Sequence, residues 1–280
     1  MIVDAGLGAA GLLRRPVAGR VVSVHRKAAY LRLDTEQSGE HADRGAGHID
    51  GAGALVALVA PGVEPGPVHV RCTTLPPCRI GEAVTGDGSR LAGPRWALRG
   101  PGAVWWGTTP GPDALAARDD DLVRAALVPG ELLAAAARAT SPEDLAAAVG
   151  GRGPGLTPAG DDVLAGVVLV ERAAGGPGVE DRLAAVCAAV RTTGPSRAFL
   201  AWAARGQSVA PAHDWLHAVA AGDRAAATRA LARLHALGAD SGRHLAAGMA
   251  LRLLTLPGQL PRVVSQTARA APGPGLRHRV

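Results

Sequence analysis

The pattern of apolar residues changes near residue 112, and this change constrains the fold more than any other feature. Before it, short apolar runs are separated by Gly and Pro clusters and lie at residues 20–33, 54–60, 67–73 and 103–106. Runs of this kind predict β-strands. After it, Ala- and Leu-rich stretches with scattered charges predict helices. We therefore expect an α+β protein, with a β-rich, barrel- or sandwich-like N-terminal domain followed by a C-terminal helical domain.

The same patterns predict a division of the chain into three parts. The β-rich domain covers residues 1–111, the helical domain residues 112–256, and a poorly ordered tail residues 257–280. The polar, glycine-rich stretch 36–51 is predicted to be an exposed loop. Helices are predicted at residues 113–127, 130–149, 158–174, 179–191, 196–205, 212–221, 223–237 and 241–255. Within 130–149 the chain is predicted to restart at residues 141–143, with Ser141 as N-cap and proline at the first helical position.

The composition narrows the class of partner. The net charge is +6 and nearly all the positive charge is arginine, with Lys27 the only lysine. A basic chain attracts anions, including nucleic acids. The arginines are scattered, however, and no nucleic-acid-binding motif is present, so we expect no nucleic-acid partner. A field that favours small anionic metabolites is the remaining interpretation.

Cysteine usage and hydropathy predict the compartment. The three cysteines form no Cys-x-x-Cys motif, which argues against a disulfide framework or a zinc ribbon. No apolar run approaches the roughly 18 residues of a membrane span. The N-terminus has no basic segment before its apolar part and so does not resemble a signal peptide. We expect a cytoplasmic protein with no membrane partner.

Residues 151–166, GRGPGLTPAGDDVLAG, hold the most informative motif. The glycines allow positive φ and leave the backbone bare. Thr157-Pro158 predicts a helix start, with the Thr157 hydroxyl as N-cap and Pro158 at the first helical position. A glycine-rich loop leading into a helix N-terminus can bind phosphate or carboxylate. The residues predicted here to bind substrate are Gly153, Gly155, Leu156, Thr157 and Gly160.

Two aspartates, Asp161 and Asp162, follow in or just after the first turn of this helix. In one interpretation they offset the helix dipole and cap neighbouring backbone. In the other, one of them faces the cavity as a catalytic residue, where it orients a polar substrate group or holds Mg²⁺ together with substrate oxygens. The residues alone leave both interpretations open.

Two later helix starts could contribute to the same site. Ser241-Gly242 opens the last long helix; alone Ser241 is an N-cap, but beside the first loop it would help to bind an anion from both sides. Ser196 and Arg197 open another helix, and the guanidinium of Arg197 suits a carboxylate or a phosphate. A surface arginine is the alternative for Arg197. We predict Arg197 as a catalytic residue and Ser196, Ser241 and Gly242 as substrate-binding residues.

His213 and His217 lie at i and i+4 and resemble a zinc-binding pair with Asp214 in place of glutamate. No third-ligand motif follows, and aspartate reaches poorly as a base. We therefore expect an ordinary helix and no metal site. Cys187, within LAAVCAAV, is predicted to lie in the core.

The motif at 151–166 closely resembles the signature of the family long called DUF2877, some of whose members are assigned as the AllH-type subunit of oxamate carbamoyltransferase in purine (allantoin) breakdown. Two downstream segments also resemble family motifs: residues 196–200 with Gly206, and residues 238–242 with Leu245 and Gly248.

The resemblance implies a function for the chain. It would be one subunit of an enzyme that moves a carbamoyl group between carbamoyl phosphate and oxamate, and it would act together with other subunits. Both substrates are anions, which fits the predicted anion site. The alternative is a non-catalytic subunit that binds a small anion or assembles a metabolic complex.

Overall fold

The computed structural model describes residues 1–34, 54–100 and 102–256, so the predicted loop at 36–51 and the predicted tail at 257–280 lie outside the described residues. The strands are β1 (Ile2–Gly6), β2 (Pro16–Val24), β3 (Ala28–Asp34), β4 (Ala54–Val59), β5 (His69–Cys72), β6 (Ala83–Asp87), β7 (Arg90–Gly93), β8 (Trp96–Arg99) and β9 (Ala103–Trp105). The helices are α1 (Leu7–Leu13), α2 (Pro112–Ala116), α3 (Asp120–Arg124), α4 (Glu131–Ala136), α5 (Pro142–Val149), α6 (Ala159–Ala174), α7 (Val179–Ala189), α8 (Gly194–Ala204), α9 (Ala210–Ala221), α10 (Arg224–His235) and α11 (Ser241–Thr255).

The nine strands form one curled sheet, in the order β8-β7-β6-β2-β3-β4-β5-β1-β9. The β4–β5 and β1–β9 pairs are parallel and the other pairs are antiparallel. The sheet precedes α2–α11, which confirms the α+β prediction. Strands β1, β6, β7 and β8 were not predicted, because they are short and most of them carry Gly, Arg or Thr within the strand.

Alternation along the strands gives the sheet one core face. On β3, Ala29, Leu31 and Leu33 are fully buried, while Arg32 between them is exposed. Leu31 and Leu33 pack with apolar residues of β2, β4, β6 and the short helix α1. The opposite face of β3 is therefore free to contact the helices or solvent.

The predicted helices at 113–127 and 130–149 are each divided in two. Asp119 breaks the first, because its carboxylate accepts from the backbone N–H groups of Asp121 and Leu122 and caps α3. In the second, the Ser141 hydroxyl accepts from the N–H of Asp144 at 3.1 Å, so the predicted cap at the start of α5 is confirmed. The division of the chain into two domains stays a prediction.

Helices α6 and α11 pack together in parallel at the centre of the helical part. A glycine in each helix permits the close approach: a Cβ at Gly166 would lie 2.3 Å from the Leu245 carbonyl oxygen, and a Cβ at Gly248 would lie 2.1 Å from the Val163 carbonyl oxygen. Because the helices are parallel, their N-termini lie at the same end. Cys187, on α7, is buried beside this pair, as predicted.

Helix α8 connects the helices to the sheet. Its residues Ala198 and Trp202 are buried against Leu55 of β4 and Val68, and Tyr30 of β3 packs on the same cluster. The start of α8 is thereby placed between the sheet and the start of α6. Among the described residues, the helices are too short or too polar to cross a membrane.

Candidate functional site

Three helices begin close together. A serine of α8 reaches α6, since the Ser196 hydroxyl donates to the Asp161 carboxylate at 2.6 Å. The start of α6 also meets the start of α11, where the hydroxyls of Thr157 and Ser241 form a hydrogen bond of 2.8 Å. We call Thr157, Asp161, Asp162, Ser196 and Ser241 the helix-start cluster. The three predicted helix starts are thus brought together, although the roles of their side chains differ from those expected.

Asp161 is buried, and both of its carboxylate oxygens accept hydrogen bonds from the protein. Its side chain is buried, with a residue exposure of 1%. Besides the Ser196 hydroxyl, it accepts the N–H of Gly151 at 2.6 Å and the hydroxyl of Thr192. Such charge-assisted bonds are among the strongest in proteins. Asp161 therefore ties the glycine-rich loop, α6 and α8 together.

Asp162 has the opposite environment. Its Oδ2 atom is buried and accepts no hydrogen bond from any described residue. Burial raises the pKa of Asp162 to about 8; the Asp161 charge also raises this pKa, while the Ser241 hydroxyl opposes the shift. At neutral pH the carboxyl group is thus largely protonated, and a protonated carboxyl can donate a hydrogen bond as well as accept one.

One of the two aspartates does not suit the predicted alternative of Mg²⁺ binding. Both oxygens of Asp161 already accept hydrogen bonds from the protein. A hard cation prefers ionised carboxylates with free lone pairs, which Asp161 does not offer. Mg²⁺ binding through Asp162 stays a prediction.

Tyr30 is a residue of the sheet, on β3, that lies near this site. Burial raises the pKa of Tyr30, and the nearby Asp162 charge raises it further. The phenol packs beside α8, and its hydroxyl forms no hydrogen bond with a described residue. The sequence motifs do not single out Tyr30; its only signal is that it is the one tyrosine of the chain, on an alternating strand.

The glycine-rich loop has the predicted backbone. Gly151, Gly153 and Gly155 adopt φ values of +71°, +118° and +95°. Leu156 follows, and its carbonyl oxygen accepts the hydroxyl of Thr193. The N–H groups of Gly153, Gly155, Leu156 and Thr157 donate to no acceptor within the described residues. Several donors of the loop are therefore open to a ligand.

The predicted N-caps Thr157 and Ser241 are wrong. The cap positions are Pro158 for α6 and Asp240 for α11, and neither helix has a side-chain cap. The two hydroxyls bond to each other instead, so neither is directed at its own helix. Pro158 consequently precedes the first helical position rather than occupying it.

Ser196 and Arg197 are likewise not the residues that open their helix. Thr193 caps α8, and its hydroxyl oxygen accepts the Ser196 N–H at 3.2 Å. Ser196 is buried with its hydroxyl on Asp161. Arg197 follows it and is half-buried, and its guanidinium forms no hydrogen bond or ion pair with a described residue. Arg197 thus remains available to an anion.

Gly160 and Gly242 occupy equivalent positions in α6 and α11, where they permit close packing. A Cβ at Gly160 would lie 1.9 Å from the Val149 carbonyl oxygen, and a Cβ at Gly242 would lie 1.7 Å from the Leu234 carbonyl oxygen. Their N–H groups donate to other carbonyl oxygens of the chain. Packing accounts for both glycines without a ligand.

His213 and His217 lie outside the helix-start cluster, and both contact the same backbone carbonyl group. His213 Nδ1 and His217 Nε2 lie 2.9 and 3.0 Å from the carbonyl oxygen of Thr108. The Ser208 N–H donates to His213 Nε2, so the proton of this ring lies on Nδ1. The pair holds the segment that joins β9 to α2. Within the described residues, no group of three His, Cys, Asp or Glu side chains is placed to hold a metal ion.

Comparison with known proteins gives one match. Residues 149–253 match the family model described as "Oxamate carbamoyltransferase subunit AllH". No curated protein and no solved structure matches the chain significantly. The matched segment begins at the end of α5 and contains the glycine-rich loop and every residue of the helix-start cluster. Over residues 149–253, this chain is therefore similar to the family of oxamate carbamoyltransferase subunit AllH.

Proposed function

We propose that the chain is an oxamate carbamoyltransferase subunit whose anionic substrate binds at the helix-start cluster. The family match supports the reaction class. The observation that carries the location is the Asp162 Oδ2 atom, which is buried and has no hydrogen-bond partner in the part of the chain that the structure describes. An unpartnered buried polar atom costs free energy, and a ligand that bonds to it removes that cost.

The reaction suits a site built from donors rather than a nucleophile. In one direction the oxamate nitrogen attacks the carbamoyl carbon of carbamoyl phosphate, the C–O bond to phosphate breaks, and the nitrogen loses a proton. Such a transfer requires aligned substrates, a polarised carbonyl and a stabilised phosphate charge. The free N–H groups of the loop and the Arg197 guanidinium provide the positive end, and the neutral Asp162 carboxyl donates to a substrate oxygen.

We further propose that other subunits complete the enzyme, and that it acts in purine (allantoin) catabolism in the cytoplasm. The name of the matched family describes a subunit, which supports partners. The helix-start cluster contains one carboxyl, that of Asp162, with an oxygen that accepts no bond from a described residue, and one phenol, that of Tyr30, lies nearby. A partner that contributes further side chains would supply the rest of the acid–base chemistry.

The second candidate is a non-catalytic subunit that binds a small anion or assembles the complex. It is favoured by the full commitment of Asp161 to internal hydrogen bonds, which removes one of the predicted catalytic carboxylates. Both candidates place the anion at the same cluster. They differ in whether Asp162 affects turnover or only binding.

The test is Asp162→Asn in the complex with its partner subunits, assayed for carbamoyl transfer. We expect kcat to fall at least tenfold, because the amide cannot exchange the carboxyl proton, while the melting temperature does not fall. The matched control is Asp181→Asn, which alters an exposed first-turn aspartate of α7 and should leave kcat unchanged. Full kcat with weakened binding favours the second candidate.

Binding can be measured on the chain alone. At 100 times Kd, carbamoyl phosphate or oxamate should add about 2.7 kcal/mol to the free energy of unfolding, which a thermal melt detects readily. If neither compound shifts the melt at millimolar concentration, with or without the partner subunits, the substrate proposal is wrong.

A further inference from the structure

The face of β3 that turns away from the sheet core continues the candidate site. Tyr30 and Arg32 lie two residues apart on this face, about 7 Å along the strand. Tyr30 packs against α8 and lies close enough to Asp162 to respond to its charge. Arg32 lies directly opposite Leu55 of β4, which is buried in the same cluster as Tyr30.

A second arginine stands beside the first. Arg20 of β2 is the direct cross-strand partner of Arg32, so the two side chains share one face, with Cβ atoms about 4.5–5.5 Å apart. Like charges in this position destabilise a sheet. Both side chains are exposed, and neither forms an ion pair with any described residue. An anion bound between them would remove the repulsion.

We propose that Tyr30, Arg20 and Arg32 form the sheet side of the substrate site, which binds the charged end of a small anion while the helix-start cluster holds its carbamoyl or amide end. This inference rests on the proposed function. The Tyr30 hydroxyl donates to the ligand, and the two guanidinium groups bind a phosphoryl or carboxylate group through paired N–H donors. The site then lies between β3 and the first turn of α6.

The chain contains a matched control for these arginines. Arg90 of β7 and Arg99 of β8 are also direct cross-strand partners and exposed. The strand register places Arg90 about 10 Å and Arg99 about 14 Å across the sheet from Arg20, and both about 13 Å along it. They preserve the net charge, the residue type and the pairing of the proposed site but lie away from Tyr30 and Asp162.

The experiment measures binding of carbamoyl phosphate, inorganic phosphate and oxamate to the full chain by calorimetry and thermal melts. The double variant Arg20→Gln/Arg32→Gln should weaken binding of at least one of these anions tenfold or more, with an unchanged or higher melting temperature because the repulsion is gone. Tyr30→Phe should weaken binding about fivefold. The control Arg90→Gln/Arg99→Gln should bind all three anions like the unmodified chain.

The pattern of losses identifies the charged end. A loss confined to carbamoyl phosphate and phosphate indicates a phosphoryl group at the arginine pair, and a loss confined to oxamate indicates its carboxylate. If both arginine double variants lose affinity equally, the effect comes from overall charge and the sheet-side proposal is wrong.

The outcome also separates this inference from the proposed function. If Asp162→Asn loses binding while Tyr30→Phe and Arg20→Gln/Arg32→Gln bind normally, the substrate site stands without a sheet side and this inference falls. If the unmodified chain binds none of the three anions, with or without its partner subunits, both proposals fall.

Discussion

Asp161 and Asp162 are neighbours in the sequence, yet their surroundings have almost nothing in common. Asp161 accepts bonds from three donors, on the loop, before α8 and within α8, whereas Asp162 has a buried oxygen that no described residue bonds. The cause is helical geometry: consecutive residues point about 100° apart, so one carboxyl faces α8 and the other faces α11 and the sheet. The same side chain is therefore structural at one position and chemically available at the next.

The contrast extends to the glycines of the same motif. Gly160 is buried against α5, where a side chain would collide with backbone, while Gly155 has open space around its Cα and a φ of +95°. Gly160 and Asp161 fix the helix in place, whereas Gly155 and Asp162 face the space where a ligand can bind. One motif thus combines an anchoring half and an open half.

Removing the Asp161 carboxylate should cause the largest loss of stability. In Asp161→Ala, the Gly151 N–H and the Ser196 and Thr192 hydroxyls lose their acceptor inside the protein. We expect the free energy of unfolding to fall by about 4 kcal/mol, because the buried donors are left unpaired. Urea denaturation measures this, with Asp162→Asn as the control. An Asp161→Ala protein as stable as that control would show that the two sites do not differ as described.

Substitutions of Gly160 and Gly155 should show the same contrast in stability, with a smaller loss than that of Asp161→Ala. Gly160→Ala places a Cβ 1.9 Å from a carbonyl oxygen and should cost about 3 kcal/mol, since α6 must shift away from α5. Gly155→Ala meets no atom and should cost only about 1 kcal/mol, from its positive φ. Denaturation midpoints of the two variants test the division, and equal losses would argue against it.

The pH dependence of stability tests Asp162 directly. Its pKa is raised to about 8 by burial, so between the ordinary aspartate pKa and pH 8 the native state holds a proton that the unfolded chain has lost. The stability is therefore complete at acid pH and falls as pH rises, by about 2 kcal/mol between pH 6 and pH 8. Asp162→Asn should abolish this decrease. A decrease that persists in the variant would assign it to another group.

The sequence predicts where the candidate site lies better than it predicts which residues of the site are structural. Local patterns place β2 to β5 and β9, the glycine-rich loop and three helix starts, because periodicity and turn residues act over a few positions. They also predict the acidic first turn of α6, which the structure confirms. Which aspartate is satisfied depends on Thr192 and Ser196, which are about 30 residues away and visible only in the fold.

The errors in the predicted caps have the same origin. The Thr157 hydroxyl could bond to its own helix or to a distant partner, and only the packing of α6 on α11 brings Ser241 within 2.8 Å. The Thr193 cap of α8, by contrast, was readable from the Thr-Gly-Pro sequence, since threonine before an early proline favours a helix start. Tyr30 lies about 130 residues from Asp162, and no local rule connects them.

The smallest expected effect concerns the hydroxyl pair, which joins the two halves of the motif to α11. Thr157→Val and Ser241→Ala should each cost about 1 kcal/mol of stability, the usual value for one hydrogen bond. The double variant should cost less than the sum, because the second substitution removes a partner that is already lost, and a coupling energy of about 1 kcal/mol is expected. A double-mutant cycle by urea denaturation measures it. Strict additivity would mean that the two hydroxyls cap their own helices after all, and the short Thr157–Ser241 contact would then contribute nothing to holding α6 and α11 together.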